Sequence, residues 1–379
     1  MDRRQMLQRL GAVTTVAAFA GKAHAKVDGV LPTRLRIGQS LPQTGASSGT
    51  GQQIQRGTLA AFSEANRNGG VYGREVELIT LDDGYDPPRT VANTRDLIGR
   101  GVFALANYMG TPTTVAALPL IKEADIPLIA PFTGSALLRS PSLPQVFNIR
   151  ASYMNEGGPI VRHLVRYGGK APRIGMFVQD DLYGQSVEAS ILSAMSAYGL
   201  SPFATARIPR GSSDVGPAVK LLLDKNVSAV ATGGTYEPTA LLVNGLRNAG
   251  STAVAASVSF VGTSNLAKRL AENCHVAVNE VVPFPISGTK KVVREYQLAM
   301  TAAGFDEYTY ESLEAYIGAR TLLLGLGLCG PYPTRAGLMT SLEGTHDLGD
   351  FFLRFKRGDH SGSTFTEMVD VGPNGKLIR

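Results

Sequence analysis

Alternation of strand and helix patterns is the feature that most limits the fold of this 379-residue chain. In its first half, short apolar runs alternate with longer segments whose apolar residues recur at helical spacing. The pattern predicts strands at 35–39, 76–81, 102–106 and 126–130, and helices at 51–68, 90–100 and 113–123. A βαβαβαβ order of this kind is typical of a doubly wound parallel sheet.

The same pattern begins again after residue 172. It predicts strands at 173–179, 227–232, 254–260 and 276–282, and helices at 184–198, 215–224, 238–249 and 264–272. A long helix with an apolar face is predicted at 311–328. Two α/β halves predict two lobes with a cleft between them, and open α/β sheets bind ligands beyond the carboxyl ends of their strands. The loops that follow the strands are therefore the candidate binding segments.

Residues 1–25 have the three parts of an export signal. They begin with charged residues, continue with an apolar run over 10–20 that is too short to span a bilayer, and end in Ala23-His24-Ala25. The pair Arg3-Arg4 resembles a twin-arginine signal, and the alternative is an amphipathic first helix. Because no cysteine lies near the expected cleavage site after Ala25, we expect a periplasmic protein without a lipid anchor.

Charge and composition exclude several functions. The predicted signal carries four basic residues and one acidic residue, so half of the net charge of +6 lies there. No basic tail or arginine-rich stretch supports nucleic-acid binding. Two cysteines and five scattered histidines predict neither a metal site nor a disulfide-dense scaffold, and no cofactor is expected. Without a GxSxG turn, a P-loop or a GxGxxG after a strand, an enzyme is not expected either.

Seven stretches in a particular order and spacing carry a resemblance to a known family. They are IGQSLPQTG (37–45), NRNGGVYGREVEL (66–78), LDDGYDP (81–87), IPLIAPFTG (126–134), VFNIRASY (146–153), MFVQDDLYGQS (176–186) and TGGTYEP (232–238). With them the chain resembles the type I periplasmic solute-binding proteins of ABC transporters, in the branch that binds the branched-chain amino acids leucine, isoleucine and valine.

This resemblance implies two lobes that are joined by three hinge crossings and close on a ligand. The amino-terminal lobe is expected to comprise 34–149 plus 284–346, and the carboxy-terminal lobe 150–283 plus 347–379. The implied partners are a small-molecule ligand and the membrane permease of an ABC transporter, with the binding protein itself a monomer. A ligand-sensing receptor on the same fold is the alternative.

The resemblance also implies binding residues in the first lobe. Thr111 stands where the family holds a ligand carboxylate at the start of a helix, a place where unpaired N–H groups favour an anion. The alternative is that Thr111 and Thr113 only cap this helix. The loop after the next strand is expected to supply backbone and hydroxyl contacts through Phe132, Thr133, Gly134 and Ser135.

In the second lobe, Tyr183 of DDLYGQS matches the family's tyrosine that closes over the ligand, and the alternative is a buried structural tyrosine. On the first reading, Tyr183→Ala should weaken binding about tenfold or more and leave the melting of the ligand-free protein nearly unchanged. In TGGTYEP either Thr235 or Tyr236 enters the cleft.

The main departure from the family lies in FVGTSN (260–265). The family places a glutamate there to pair with the ligand's ammonium, whereas this chain has Thr263 or Ser264. An ammonium buried without an anionic partner is costly. Either another carboxylate substitutes, or the ligand is an aromatic or aliphatic organic acid without an amino group. The candidate carboxylates are Asp83, Asp181 and Glu237.

Three further pairs of residues are predicted to have no chemical role. Cys274 and Cys329 are expected to be separate thiols, because they fall in segments assigned to different lobes or to a lobe edge. The neighbouring carboxylates Asp82-Asp83 and Asp180-Asp181 are expected to be solvated or to cap helices, since adjacent side chains at a strand end diverge.

Overall fold

The computed structural model describes residues 27–378, so the predicted signal lies outside the described residues. The first sheet is parallel throughout, in the order β2-β1-β3-β4-β5. Its strands are β1 (Arg34–Leu41), β2 (Glu75–Asp82), β3 (Ala104–Ala106), β4 (Leu128–Ile129) and β5 (Val146–Phe147). In register, Ile37 of β1 lies opposite Leu78 of β2 and Ala104 of β3.

The second sheet has the order β14-β13-β10-β9-β8-β6-β7. The strands in chain order are β6 (Ile174–Gln179), β7 (Ala204–Ile208), β8 (Ala229–Gly233), β9 (Val254–Val258), β10 (Val276–Glu280), β11 (Gly344–Asp347), β12 (Phe352–Phe355), β13 (Glu367–Val371) and β14 (Leu377–Ile378). Strands β6 to β10 are parallel, β13 and β14 are antiparallel, and β11 and β12 form a separate hairpin.

Helices cover both faces of each sheet. They are α1 (Ser48–Arg67), α2 (Pro87–Gly99), α3 (Thr111–Glu123), α4 (Tyr153–Tyr167), α5 (Leu182–Ser196), α6 (Gly216–Asp224), α7 (Tyr236–Asn248), α8 (Thr263–Ala267), α9 (Lys291–Ala302), α10 (Tyr310–Cys329) and α11 (Arg335–Leu342). Alternate strand residues serve the two faces: Met176 packs with the core under α4 and α5, and Phe177 with the core under α6 and α7. The predicted doubly wound architecture is therefore confirmed.

Helix α10 is more deeply buried than its predicted apolar face implies. It packs on α1, α9 and α11, and even Glu311 and Glu314 in its first two turns are buried. No helix within residues 27–378 combines the length and the apolar character needed to cross a bilayer.

Some elements differ from the sequence prediction. The helix predicted at 264–272 ends at Ala267, and a turn follows in which the Arg269 and Leu270 N–H groups both bond to the Leu266 carbonyl. Helix α4 was not predicted, since two glycines and Pro159 interrupt its pattern, although Ser152 and Asn155 form a capping box at its start. Strand β7 and helix α9 were not predicted either.

The predictions for the two cysteines and for the neighbouring aspartates can be compared directly with the structure. Cys274 is buried, Cys329 is half-buried, and both are free thiols as predicted. Asp181 caps α5 by accepting the N–H groups of Tyr183 and Gly184. Asp83 differs from the prediction, since it is buried and bonded to Ser40 (2.7 Å). The lobe boundaries stay a prediction.

Candidate functional site

A layer of buried aromatic rings joins the strand-end loops of the two sheets. Phe260, after β9, lies at its centre, with its ring centroid 4.5 Å from that of Tyr183 at the start of α5. It is 6.2 Å from Tyr85 after β2 and 5.9 Å from Phe132 after β4, both on the first sheet. Tyr153 completes the layer, 5.8 Å from Tyr183. The loops that the sequence singled out therefore meet in a buried aromatic contact between the sheets.

A row of hydroxyls links the start of α3 to this layer. The Thr111 and Thr133 hydroxyl oxygens lie 2.7 Å apart, and that of Thr133 lies 3.4 Å from the Tyr153 hydroxyl. Gly110 precedes the helix with φ of 97°, and a Cβ atom there would lie 2.3 Å from the Tyr85 ring. First-turn N–H groups have no partner within a helix, so this end of α3 suits an anionic or polar group.

Thr113 and Ser135 bond within the protein. The Thr113 hydroxyl donates to the Met109 carbonyl and to that of Gly110 (3.1 Å). The capping alternative is wrong for this helix, because its N-cap is Gly110 and no side chain caps it. The Ser135 hydroxyl lies 2.9 Å from that of Ser186 on α5 and accepts the Leu137 N–H. Gly134 accepts the Tyr153 N–H through its carbonyl (2.8 Å), so the 132–135 loop also joins the two sheets.

Tyr183 has a clear packing role. It is fully buried, and its hydroxyl donates to the Gly234 carbonyl (3.3 Å). Burial raises the pKa of the Tyr183 phenol well above its usual value, so the phenol stays a donor. Closure of this side chain over a ligand stays a prediction.

Of the two candidates in TGGTYEP, Tyr236 reaches the first sheet's helices. Its hydroxyl accepts the Gly49 N–H of α1 (3.4 Å), and the Arg269 guanidinium lies 4.7 Å from its ring centroid. Thr235 is buried at the start of α7.

Sequence reasoning missed a buried charged group beside the aromatic layer. Arg150 is fully buried, and its guanidinium lies 4.8 Å from the centroid of the Phe132 ring. Its Nε is 3.5 Å from Glu314 of α10, and it also donates to the Ser259 hydroxyl. Arg150 stands within VFNIRASY at a strand end, so its position in the sequence was a usable signal.

Glu156 of α4 belongs to the same group. Its carboxylate accepts the Ser259 N–H (2.7 Å). Burial raises the pKa of Glu156 to about 7, against the lowering effect of Arg150. Burial likewise raises the pKa of Glu314 to about 7, again opposed by Arg150. These carboxyls therefore titrate near neutral pH.

We expect Glu156→Gln to change how stability depends on pH. Native Glu156 keeps its proton between its usual pKa and about 7, where the unfolded chain has lost it, so its contribution to stability falls as pH rises through that window. The free energy of unfolding of Glu156→Gln, measured relative to that of the wild type, should rise by about 1 to 3 kcal/mol between pH 5 and pH 8. Each unit of pKa shift corresponds to about 1.4 kcal/mol. Urea unfolding at each pH measures this, with the exposed Glu123→Gln as control. If the difference in free energy of unfolding between Glu156→Gln and the wild type does not change with pH, the raised pKa of Glu156 is contradicted.

Two more glutamates flank the loop where the family glutamate was expected. The Thr263 hydroxyl donates to Glu280, the last residue of β10. The Ser264 N–H donates to Glu311 of α10 (3.1 Å). Both carboxylates are buried, and burial raises the pKa of each. Glu280 and Glu311 thus bond to the loop in which the resemblance implied a glutamate and this chain has Thr263 and Ser264.

The three carboxylates that the sequence offered for this loop form their hydrogen bonds elsewhere, and their part in ligand binding stays a prediction. Asp83 bonds to Ser40 and Thr90 beside the first sheet, and Asp181 caps α5. Glu237, in the first turn of α7, accepts a hydrogen bond from the Ser213 hydroxyl (3.3 Å). The carboxylates that bond to the loop come from β10 and α10, 17 and 47 residues further along the chain, which local spacing could not reveal.

Two open α/β sheets with buried aromatic and polar groups between their strand-end loops define a two-lobed ligand-binding protein. The family model described as periplasmic binding protein matches residues 34–376, and the chain belongs to this family. Within residues 27–378, no group of three or more His, Cys, Asp or Glu residues could hold a metal ion.

Individual relatives agree with this assignment. An "amino acid binding protein" from Pseudomonas aeruginosa is 23% identical over 325 residues, 84% of this chain and 85% of the relative. The crystal structure of a possible leucine/isoleucine/valine-binding protein from Rhodopirellula baltica is similar at 31% identity and a TM-score of 0.85, covering 93% of this chain and 98% of the other. A fatty acid ABC transporter substrate-binding protein from Thermomonospora curvata has 19% identity and a TM-score of 0.83, with 94% and 93% covered, and shows the fold alone.

Proposed function

We propose that the protein is the extracytoplasmic binding component of an ABC uptake transporter, and that it captures a small amino acid, amide or related carboxylate by closing its two lobes. The observation that carries this proposal is the meeting of both sheets' strand-end loops around Phe260, with buried hydroxyls and carboxylates from both sides. The family assignment and the names of the relatives support the transport role and an exported location.

Each part of the site has a role in this proposal. The start of α3, with Thr111 and Thr133, holds the polar or anionic end of the ligand. The aromatic layer, with Tyr183 and Phe260 from the second sheet's loops, covers the apolar part and excludes water. A ligand that bonds groups of both lobes binds the closed form more tightly than the open form and therefore shifts the population toward closure.

A thermal-shift screen of the mature chain tests the proposal. Amino acids, their amides, and aliphatic and aromatic carboxylates form the panel, with D-enantiomers as matched controls. A ligand at a hundredfold excess over its Kd adds about 2.7 kcal/mol of stability. The proposal fails if no compound stabilises the protein, or if a stabilising compound is chemically converted.

Thr111→Val should weaken binding of the screened ligand about tenfold, because it removes a hydroxyl that faces the contact between the sheets. Thr113→Val is the matched control. The Thr113 hydroxyl bonds to carbonyls next to its own helix, so its loss should cost about 1 kcal/mol of stability and leave the affinity within about threefold. Isothermal titration calorimetry and urea unfolding of both variants separate the two effects. Equal losses of affinity in both contradict the role of Thr111.

A further inference from the structure

The edge of the second sheet that lies farthest from the aromatic layer carries a concentration of positive charge. Residues 157–179 contain four lysines and arginines but no aspartate or glutamate. The ends of α4 and α6 and the loops before β6 and β7 bring exposed basic and aromatic residues to this edge. We call this surface the basic edge, and its members are Arg166, Tyr167, Lys170, Arg173, Phe203 and Lys225.

Strand pairing and close contacts hold the basic edge together. Strands β6, β7 and β8 are parallel neighbours, so all three begin at this edge. The Phe203 N–H donates to the Ile174 carbonyl (2.8 Å). The Arg173 guanidinium carbon lies 4.3 Å from the centroid of the Phe203 ring, and the guanidinium donates to the Lys225 carbonyl (2.6 Å). Residues from three separate segments of the chain therefore form one continuous surface.

The last turn of α4 adds a second pair of a cation and a ring. Arg166 and Tyr167 lie in this turn, and the loop 168–173 joins it to β6. The Arg166 guanidinium carbon lies 5.3 Å from the centroid of the Tyr167 ring. Tyr167 is 54% exposed and Phe203 is 44% exposed. Apolar rings and positive charges therefore reach solvent side by side.

The cations of the basic edge have no carboxylate partner. Within residues 27–378, none of its lysines and arginines forms an ion pair. The carboxylates nearest to them in the fold are engaged, since Asp224 pairs with Lys220 (2.5 Å) and Asp370 with His275 (2.9 Å). Glu272 precedes β10, and two strands lie between β10 and β6. The chain's own carboxylates therefore leave the charge of the basic edge uncompensated.

We propose that the basic edge binds the anionic phospholipid surface of a membrane. Lysine and arginine near a bilayer are attracted by negative headgroups, and aromatic side chains place their rings among those headgroups. A protein partner would need a surface with an apolar centre, whereas each ring here lies beside a cation. The inference goes beyond the proposed function and takes from it only the exported location, beside the membrane that holds the permease.

Attachment through the basic edge leaves the contact between the lobes accessible. The six residues of β6, at about 3.3 Å each, separate Arg173 from the loop that leads to Tyr183 and the aromatic layer. The two surfaces thus lie at opposite ends of the same strands. We therefore expect a ligand to bind equally well to the free protein and to the protein on vesicles.

Vesicle flotation tests the proposal with the mature chain. One set of vesicles contains phosphatidylcholine with about one third phosphatidylglycerol, and the matched set contains phosphatidylcholine alone. We expect the protein to float with the anionic vesicles only. Binding should be strong at about 0.05 M salt and should weaken about tenfold or more at about 0.5 M salt, because salt screens the attraction.

A triple variant assigns the binding to the basic edge. Each exposed lysine or arginine near an anionic bilayer strengthens attachment about fivefold. Combining Arg166→Gln, Lys170→Gln and Lys225→Gln should therefore weaken vesicle binding by about tenfold or more. All three side chains are exposed, so urea unfolding and ligand affinity should match the wild type.

The matched control removes the same charge from the helices around the first sheet. It combines Arg67→Gln, Arg95→Gln and Lys122→Gln, three exposed residues of α1, α2 and α3. Its vesicle binding should stay within about threefold of the wild type. The control separates a local surface from the effect of net charge.

A fluorescent reporter gives a second measurement that needs only one substitution. The chain has no tryptophan, so Tyr167→Trp and Tyr72→Trp each introduce a single reporter. Both tyrosines are 54% exposed, and Tyr72 lies beside the first sheet. With anionic vesicles, the emission of Trp in place of Tyr167 should shift to shorter wavelength, whereas that of Trp in place of Tyr72 should not.

Several outcomes would overturn the proposal. They are equal binding to both sets of vesicles, no binding to either, equal losses in the two triple variants, and an emission shift in both reporters or in neither. Binding to the soluble polyanion heparin without binding to anionic vesicles also contradicts a membrane as the partner. If a triple variant does not fold, the two reporters decide. The transport function is tested separately by the ligand screen, so either proposal can fail alone.

Discussion

Arg150→Met should lower the free energy of unfolding at pH 8 by about 3 to 5 kcal/mol, the largest loss that we expect from a single substitution. The variant removes the fully buried cation that pairs with Glu314 beside Glu156, and leaves the two carboxylates with the charge of Arg139 alone nearby. At pH 5 the loss should be smaller, because carboxyls with a pKa of about 7 are then protonated and need no counter-charge.

A double-mutant cycle in urea identifies the partner. Adding Glu314→Gln to Arg150→Met should restore more than about 1 kcal/mol at pH 8, because the uncompensated charge is removed as well. Strictly additive effects of the two substitutions, or the same loss at pH 5 and pH 8, contradict this account of the buried group.

Tyr183→Ala should lower stability by about 3 to 5 kcal/mol, because it deletes a fully buried ring that packs on Phe260 and Tyr153. This differs from the expectation drawn from the sequence, in which melting of the ligand-free protein hardly changes. Tyr183→Phe keeps the ring and loses the hydrogen bond to Gly234, for a cost of about 1 kcal/mol. Thermal and urea unfolding measure both.

The matched control lies near the other end of the same helix. Tyr198 is 47% exposed, and Tyr198→Ala should change stability by no more than about 0.5 kcal/mol. A Tyr183→Ala variant as stable as Tyr198→Ala contradicts the packing role. Because alanine disturbs the fold, the effect of the Tyr183 hydroxyl on ligand affinity should be read from Tyr183→Phe.

Taken together, the buried polar groups explain how a closed contact between the lobes can still be selective. The hydroxyl row at α3 lies on the first sheet's side of the contact, and the carboxylate that bonds to Thr263 lies on the second sheet's side. Phe260, from the same loop as Thr263, packs on Phe132 of the first sheet.

Much of the fold was accessible from the sequence because its signals are local. Apolar runs and helical spacing located most strands and helices, and glycine-rich ends marked where they stop. The misses had local causes too: α4 contains two glycines and a proline, so its pattern is broken even though its capping box is present. The loops around Thr111, Phe132, Tyr183 and Phe260 were located as well, since each follows a strand.

Which loops converge could be predicted from the chain's pattern, since parallel strands place their carboxyl ends at one edge of a sheet whatever the surroundings. The groups that those loops contact could not be predicted in this way, because they depend on packing between distant elements. Arg150 lies more than a hundred residues before Glu280 and Glu311 in the chain, and the charges of all three become costly only once packing removes water from around them. Burial and long-range contact, which no local pattern records, placed carboxylates of two other elements beside the loop that contains Thr263 and Ser264.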